Sequence, residues 1–239
     1  VPLIELRGAI PYAVGFGIPL LPAYIGLSLC TLAYQGYFIK YLPLLLLALL
    51  IIIPAYGVWV VLLYYIAGAY AEEKPWQILK NYMPVCKMAL KTRSSTAVEK
   101  YSQEAADKCS QLDPRLTKEM VPLFVQIHHC GSVLAEVFFA MMISRVLYGS
   151  VPAPGTMVIF GILLATCSIG TPGLPWGTVM VSLGTLTGIL KFGDSGIALM
   201  FAFFALHDAF AAACNMTCDG AAQLFLTGYI KRHDLTIKN

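Results

Sequence analysis

Three polar side chains stand in the most unlikely place in this chain. Asp208, Asn215 and Asp219 lie seven and four residues apart in an apolar stretch that runs from about 195 to 230. Seven and four are helical spacings, so one face of one helix carries all three. A second group, His128, His129, Cys130 and Ser132, interrupts another apolar stretch, with Glu136 one turn further on. A third feature is a run of small and kinking residues, Ser168, Ile169, Gly170, Thr171, Pro172, Gly173, Leu174 and Pro175. Carboxylates in an apolar helix are expensive, and they mark solute or ion paths. Broken backbone at membrane depth is tolerated where protein buries it or where it lines a cavity. Together they predict the binding site of a secondary transporter, able to hold an ammonium group or a small cation.

Those residues need elements to hold them, and composition says what kind. Of 239 residues, 58% are hydrophobic and 12% charged, against about 25% charged in soluble domains. The chain is therefore an all-α, multi-pass membrane protein, expected in the cell membrane with lipid as a partner. A net charge of +3 gives no electrostatic case for nucleic acid. Nine of the sixteen basic residues fall between Lys74 and Lys118, and Lys231, Arg232 and Lys238 close the chain. The positive-inside rule makes both regions cytoplasmic.

The expected organisation begins with two transmembrane helices within 1–72, roughly Ile10–Tyr34 and Tyr41–Tyr70, separated by a polar break at 35–40. A core follows over 73–239. It contains a helical hairpin at 74–112, a transmembrane helix at 113–148, a second hairpin at 153–191 and a last transmembrane helix at 195–230. The first hairpin has a polar tip at Lys91–Thr96, and Thr96 with Glu99 reads as a capping box. On composition alone, a cytoplasmic helical loop remains open for that region. Asp113-Pro114 reads as an N-cap with a first-turn proline. The arms at 156–167 and 177–190 are too short to cross a bilayer alone, so they read as re-entrant. Hairpin then interrupted helix, twice, suggests paired repeats about a midplane site. The chain opens at Val1 directly into apolar sequence, which reads as truncation or processing.

On Thr92-Arg93-Ser94-Ser95-Thr96, on Ser168-Ile169-Gly170-Thr171 with Gly173 and Pro175, and on Asp208, Asn215 and Asp219, the chain resembles the dicarboxylate/amino acid:cation symporters. The likeness covers nearly the whole sequence. It implies an elevator-type transport unit and a homotrimer. It also implies scaffold helices missing before Val1. No enzyme activity is implied, and the only cofactor is a coupling Na+ or H+. By position, Asp208 holds the substrate amine. Asn215, Ser132 and the tips, through Ser94, Ser95, Gly173 and Pro175, hold its carboxylate. Ser168, Ile169, Thr171 and Asp219 match cation ligands, with Asp219 and Asn215 as the Na+ candidates.

Two departures shape the expectation. Carriers of acidic substrates place arginine where this chain has Ala211, so a neutral amino acid is favoured. Arg93 keeps a dicarboxylate or acidic amino acid open as the alternative. The family's Asn-Met-Asp-Gly-Thr stretch becomes His128-His129-Cys130-Gly131-Ser132 here, and a thiol is a poor ligand for a hard cation. Glu136 matches the glutamate of proton-coupled members, and His128 can pair with Asp219. A structural carboxyl at Glu136 and a satisfied polar patch at the histidines are the bland readings. Seven cysteines (30, 86, 109, 130, 167, 214 and 218) read mostly as small buried thiols. A non-transporting remnant and a soft-metal site at His128, His129, Cys130, Cys214 and Cys218 are readings from other classes.

Overall fold

The computed structural model describes residues 36–171 and 177–235, together with residues 26, 27, 29, 30, 33 and 34. Most of the expected first span, 10–34, lies outside the described residues, and the tip residues Gly173 and Pro175 lie wholly outside them. Every regular element among the described residues is helical. α1 is Tyr37–Ala71, α2 Pro75–Thr92 and α3 Glu99–Asp107, preceded by a single 3-10 turn at Thr96–Val98. α4 is Pro114–Ile127 and α5 Cys130–Tyr148. α6 is Pro154–Ile169, α7 Gly177–Val181, α8 Leu183–Gly188 and α9 Asp194–Arg232.

Among the described residues, three stretches are long and apolar enough to cross a membrane: Ile39–Ala71, Pro114–Tyr148 and Asp194–Arg232. Their burial separates their roles. In the most apolar part of α9, 78% of residues are buried, against 22% in α1. A helix buried on all sides is the axis of a bundle; α1 turns Leu46, Leu50, Val58 and Tyr65 outward, as a lipid-facing helix does. α9 packs on α1, α2 and α5. Where α9 meets α1, small residues let the backbones approach. A Cβ placed on Gly228 would lie 2.7 Å from the Cα of Ala71. The Gly228→Ala variant is therefore expected to lose about 1–3 kcal/mol through overpacking, read as a lower melting temperature of the purified protein.

The ends of the bundle are tied. Lys231 pairs with Glu73 at 3.0 Å and Arg232 with Glu72 at 2.9 Å, so the C-terminus of α9 meets the α1–α2 turn. At the opposite end the Tyr148 hydroxyl accepts from the Gly193 amide at 2.9 Å. The basic residues that close α9 thus lie beside the turn where the other basic region begins, at Lys74.

Three local expectations change and one holds. Helix α1 starts at Tyr37, inside the polar break, because Gly36 takes the left-handed conformation (φ 71°) and ends the preceding turn there. Asp113 does cap α4, its carboxylate accepting from the Arg115 amide at 2.9 Å. The capping box at Thr96 does not form. The accepting hydroxyl is Ser94, 3.4 Å from the Ala97 amide, and Glu99 only begins α3. The repeat idea fails in its second half: α9 runs unbroken for 39 residues, because its polar side chains find partners without opening the backbone. The break falls elsewhere, in the second arm, which divides at Ser182 into α7 and α8.

Candidate functional site

The centre of the site is a helix break. α4 ends at Ile127 and α5 begins at Cys130, with His128 and His129 between them in non-helical conformations. A break in an apolar bundle frees backbone groups that must be satisfied. Here side chains do it. The His129 Nε2 donates to the Gln126 carbonyl at 2.8 Å. Asn215, reaching across from α9, accepts from the amides of Gly131 (2.7 Å) and Ser132 (3.3 Å), and its Nδ2 donates to the Ser132 hydroxyl at 3.0 Å. Asn215 thus acts as an N-cap supplied by another helix. Replacing it by leucine should leave two buried amides unsatisfied, at about 1–3 kcal/mol each. The expected result is a large fall in thermal stability, with or without solute.

A small polar cavity lies beside this break. Arg93 and Ser95 from the first tip, His129 and Ser132 from the break, Thr171 and Thr178 from the second hairpin, and Asp208, Ala212 and Asn215 from α9 line it. Its volume is about 20 Å³, enough for a water molecule and too little for an amino acid. A solute enters only if the surrounding elements part. Asp208 and Asn215 reach the cavity together because they are seven residues apart on α9.

The other candidates distribute unevenly. The Ser94 hydroxyl accepts from the Ala97 amide at the start of the 3-10 turn. Ala211 is wholly buried and does not line the cavity; its neighbour Ala212 does. Ser168 is buried and donates to the Ala165 carbonyl of its own helix at 2.8 Å. Ile169 is 56% exposed, turned away from the cavity that Thr171 reaches. Glu136 lies one turn beyond Ser132, wholly buried, and neither carboxylate oxygen has a hydrogen-bond donor. Its polar neighbour Ser182 donates instead to the Val179 carbonyl.

A second cluster sits behind the break. The His128 Nδ1 and Asp219 Oδ1 are 2.7 Å apart, the pairing that the sequence suggests. The sulfurs of Cys130, Cys214 and Cys218 lie within 4.8 Å of one another. At this position sulfur and imidazole nitrogen outnumber oxygen, a poor shell for Na+. Asn215 gives its oxygen to two amides, and Asp219 shares one of its own with His128.

Thr178 and His129 are lining residues that sequence reasoning did not assign to the solute. Thr178 follows the broken tip directly, the signal that would have found it. His207, buried against Phe139, Phe204 and Tyr56, also escaped notice. No spacing distinguishes it from a core residue.

Comparison with known proteins completes the description. Residues 5–228 match the family described as the sodium:dicarboxylate symporter family. A 119-residue stretch is 28% identical to a Caenorhabditis elegans protein whose name describes it as a sodium-dependent excitatory amino acid transporter, glt-4. That match covers 50% of this chain and 24% of the relative, so the chain spans only part of the relative's length.

Proposed function

The chain belongs to the sodium:dicarboxylate symporter family, and from that premise we propose that it moves a small neutral amino acid across the membrane by an elevator motion. One observation carries this reading. Asp208 and Asn215, on a single helix, line the same cavity as the serines and threonines of both hairpins and of the helix break. An ammonium group on Asp208 gives a half-buried carboxylate at the cavity wall a charge it can hold. The substrate carboxylate takes the hydroxyls of Ser95, Ser132 and Thr178. Assembly as a homotrimer is part of the same proposal.

Coupling is assigned to a proton on Glu136. A carboxyl without donors inside a bundle is tolerable as the neutral acid and costly as the anion. A group of that kind can take up a proton on one side and release it on the other once the surroundings change. Sodium is not included, since the residues at Cys130 and Asn215 do not offer it a shell of oxygens.

A second reading has a specific observation in its favour. Arg93 lines the cavity with Asp208, and its guanidinium suits a second carboxylate on an acidic substrate. Uptake of labelled alanine and labelled aspartate into vesicles holding the chain separates the two. Alanine uptake that excess serine blocks and excess aspartate leaves intact supports the first reading. Aspartate uptake that vanishes in Arg93→Ala replaces it with the second.

A further inference from the structure

The cluster behind the break holds more sulfur than a membrane core needs. A single buried cysteine is an ordinary small apolar residue. Three whose sulfurs all lie within 4.8 Å of one another, drawn from two helices, are a ligand set. Cys214 and Cys218 stand one turn apart on α9, at 4% and 0% exposure. Cys130 is the first residue of α5 and meets both of them and His128. The juxtaposition is built in. Asn215 clamps the first turn of α5 onto α9. Gly131 clears the way, since a Cβ there would sit 2.7 Å from the Cβ of Cys214.

His128 supplies the second observation. Its Nδ1 is committed to Asp219 at 2.7 Å, which orients the ring and leaves Nε2 for a ligand; His128 meets Cys130 but stands outside the 4.8 Å group of three sulfurs, so it joins the shell only when the break tightens around the ion. A carboxylate behind a histidine is the usual support of a metal-bound imidazole. The other Asp219 oxygen is buried and lacks a hydrogen-bond partner. His128 and Cys218 also border an apolar groove between α1, α4 and α9, which leaves the cluster reachable from one side.

We propose that Cys130, Cys214, Cys218 and His128 bind one thiophilic d10 metal ion, zinc(II) or copper(I), at the place where the family's sequence pattern has a hard-cation ligand. Three thiolates and one imidazole form a standard tetrahedral zinc shell. At a metal–sulfur distance of about 2.3 Å, the sulfurs of such a shell lie roughly 3.8 Å apart. Sulfurs already within 4.8 Å need close by no more than about 1 Å. Each thiol that ligates gives up its proton to solvent. Zinc(II) leaves less uncompensated negative charge among three thiolates than copper(I), and charge is costly in this interior. The bound ion would fasten α5 to α9 permanently instead of cycling with transport. This inference does not rest on the amino acid reading, and its test uses no solute.

The test starts with the chain in lipid nanodiscs, reduced and stripped with a chelator, then titrated with Co(II). A thiolate-to-metal charge-transfer band that saturates near one ion per chain is expected, as is its displacement by Zn(II). Bound Zn(II) should protect three thiols from maleimide. Cys214→Ala and Cys218→Ala, small changes within one helix, should each abolish the band. The Asp219→Asn variant should weaken binding about 10- to 100-fold. Saturation with copper(I) alone would keep the site and overturn the preference for zinc. Reduced wild-type protein that shows no band, and whose thiols stay fully reactive under Zn(II) and copper(I), would overturn the proposal.

Discussion

Vesicles carrying the Asp208→Ala variant are expected to take up labelled alanine no faster than empty vesicles. Asp208 is the sole carboxylate among the residues described as lining the cavity, so an ammonium group entering there has one counter-charge. Removing one partner of a buried charge pair costs about 3–5 kcal/mol, which is roughly a hundred- to several-thousandfold in affinity. Substitution by asparagine should fail nearly as badly, because an amide keeps the shape but not the charge. The contrast with Asn215→Leu is diagnostic. That change should lower the melting temperature by opening the break, with or without solute, whereas the loss in Asp208→Ala should show in solute uptake. Alanine uptake that persists in Asp208→Ala would remove the amine from the proposed mechanism.

The Glu136→Gln variant is expected to exchange solute but not to concentrate it. With one proton moving per solute, each pH unit across the membrane is worth about 1.4 kcal/mol, so wild-type vesicles should accumulate alanine up to roughly tenfold. Glutamine at 136 carries no titratable proton and suits a donor-free pocket at least as well as the acid. Accumulation should fall to about equal concentrations on both sides, while counterflow of labelled against unlabelled alanine continues. A protonophore should abolish wild-type accumulation, and a sodium gradient should not restore it. Accumulation by the variant, or accumulation driven by sodium alone, would defeat proton coupling through this residue.

Much of the architecture is legible from residue order because its causes are local. Asp113 followed by Pro114 announces the start of α4, and the run of apolar residues after Tyr41 announces α1. The tip at Arg93–Ser95 shows itself because polar residues interrupt two amphipathic arms. Where causes are not local, the reading slips. Thr96 and Glu99 have the spacing of a capping box, yet Ser94 begins the turn, since Arg93 in the left-handed conformation (φ 54°) has already ended α2. The last helix carries three polar residues and reads as interruptible. It stays continuous because His128 and the first turn of α5 meet Asp219 and Asn215 from outside.

Periodicity and residue type establish that the chain is a helical membrane protein and that Asp208, Asn215 and Asp219 share a face. Each is a statement about positions a few residues apart, where helix geometry sets the distances. What those residues do to one another depends on how α5 and α9 pack, across some 80 residues of chain. Packing turned Asn215 toward the break as a cap and left Ala211 outside the cavity. It brought Arg93 into the same cavity as Asp208 and gathered onto the Cys130 sulfur two others that lie 84 and 88 positions away in the sequence. Contacts at that separation come from filling the space between helices, and no spacing rule along a single helix encodes them.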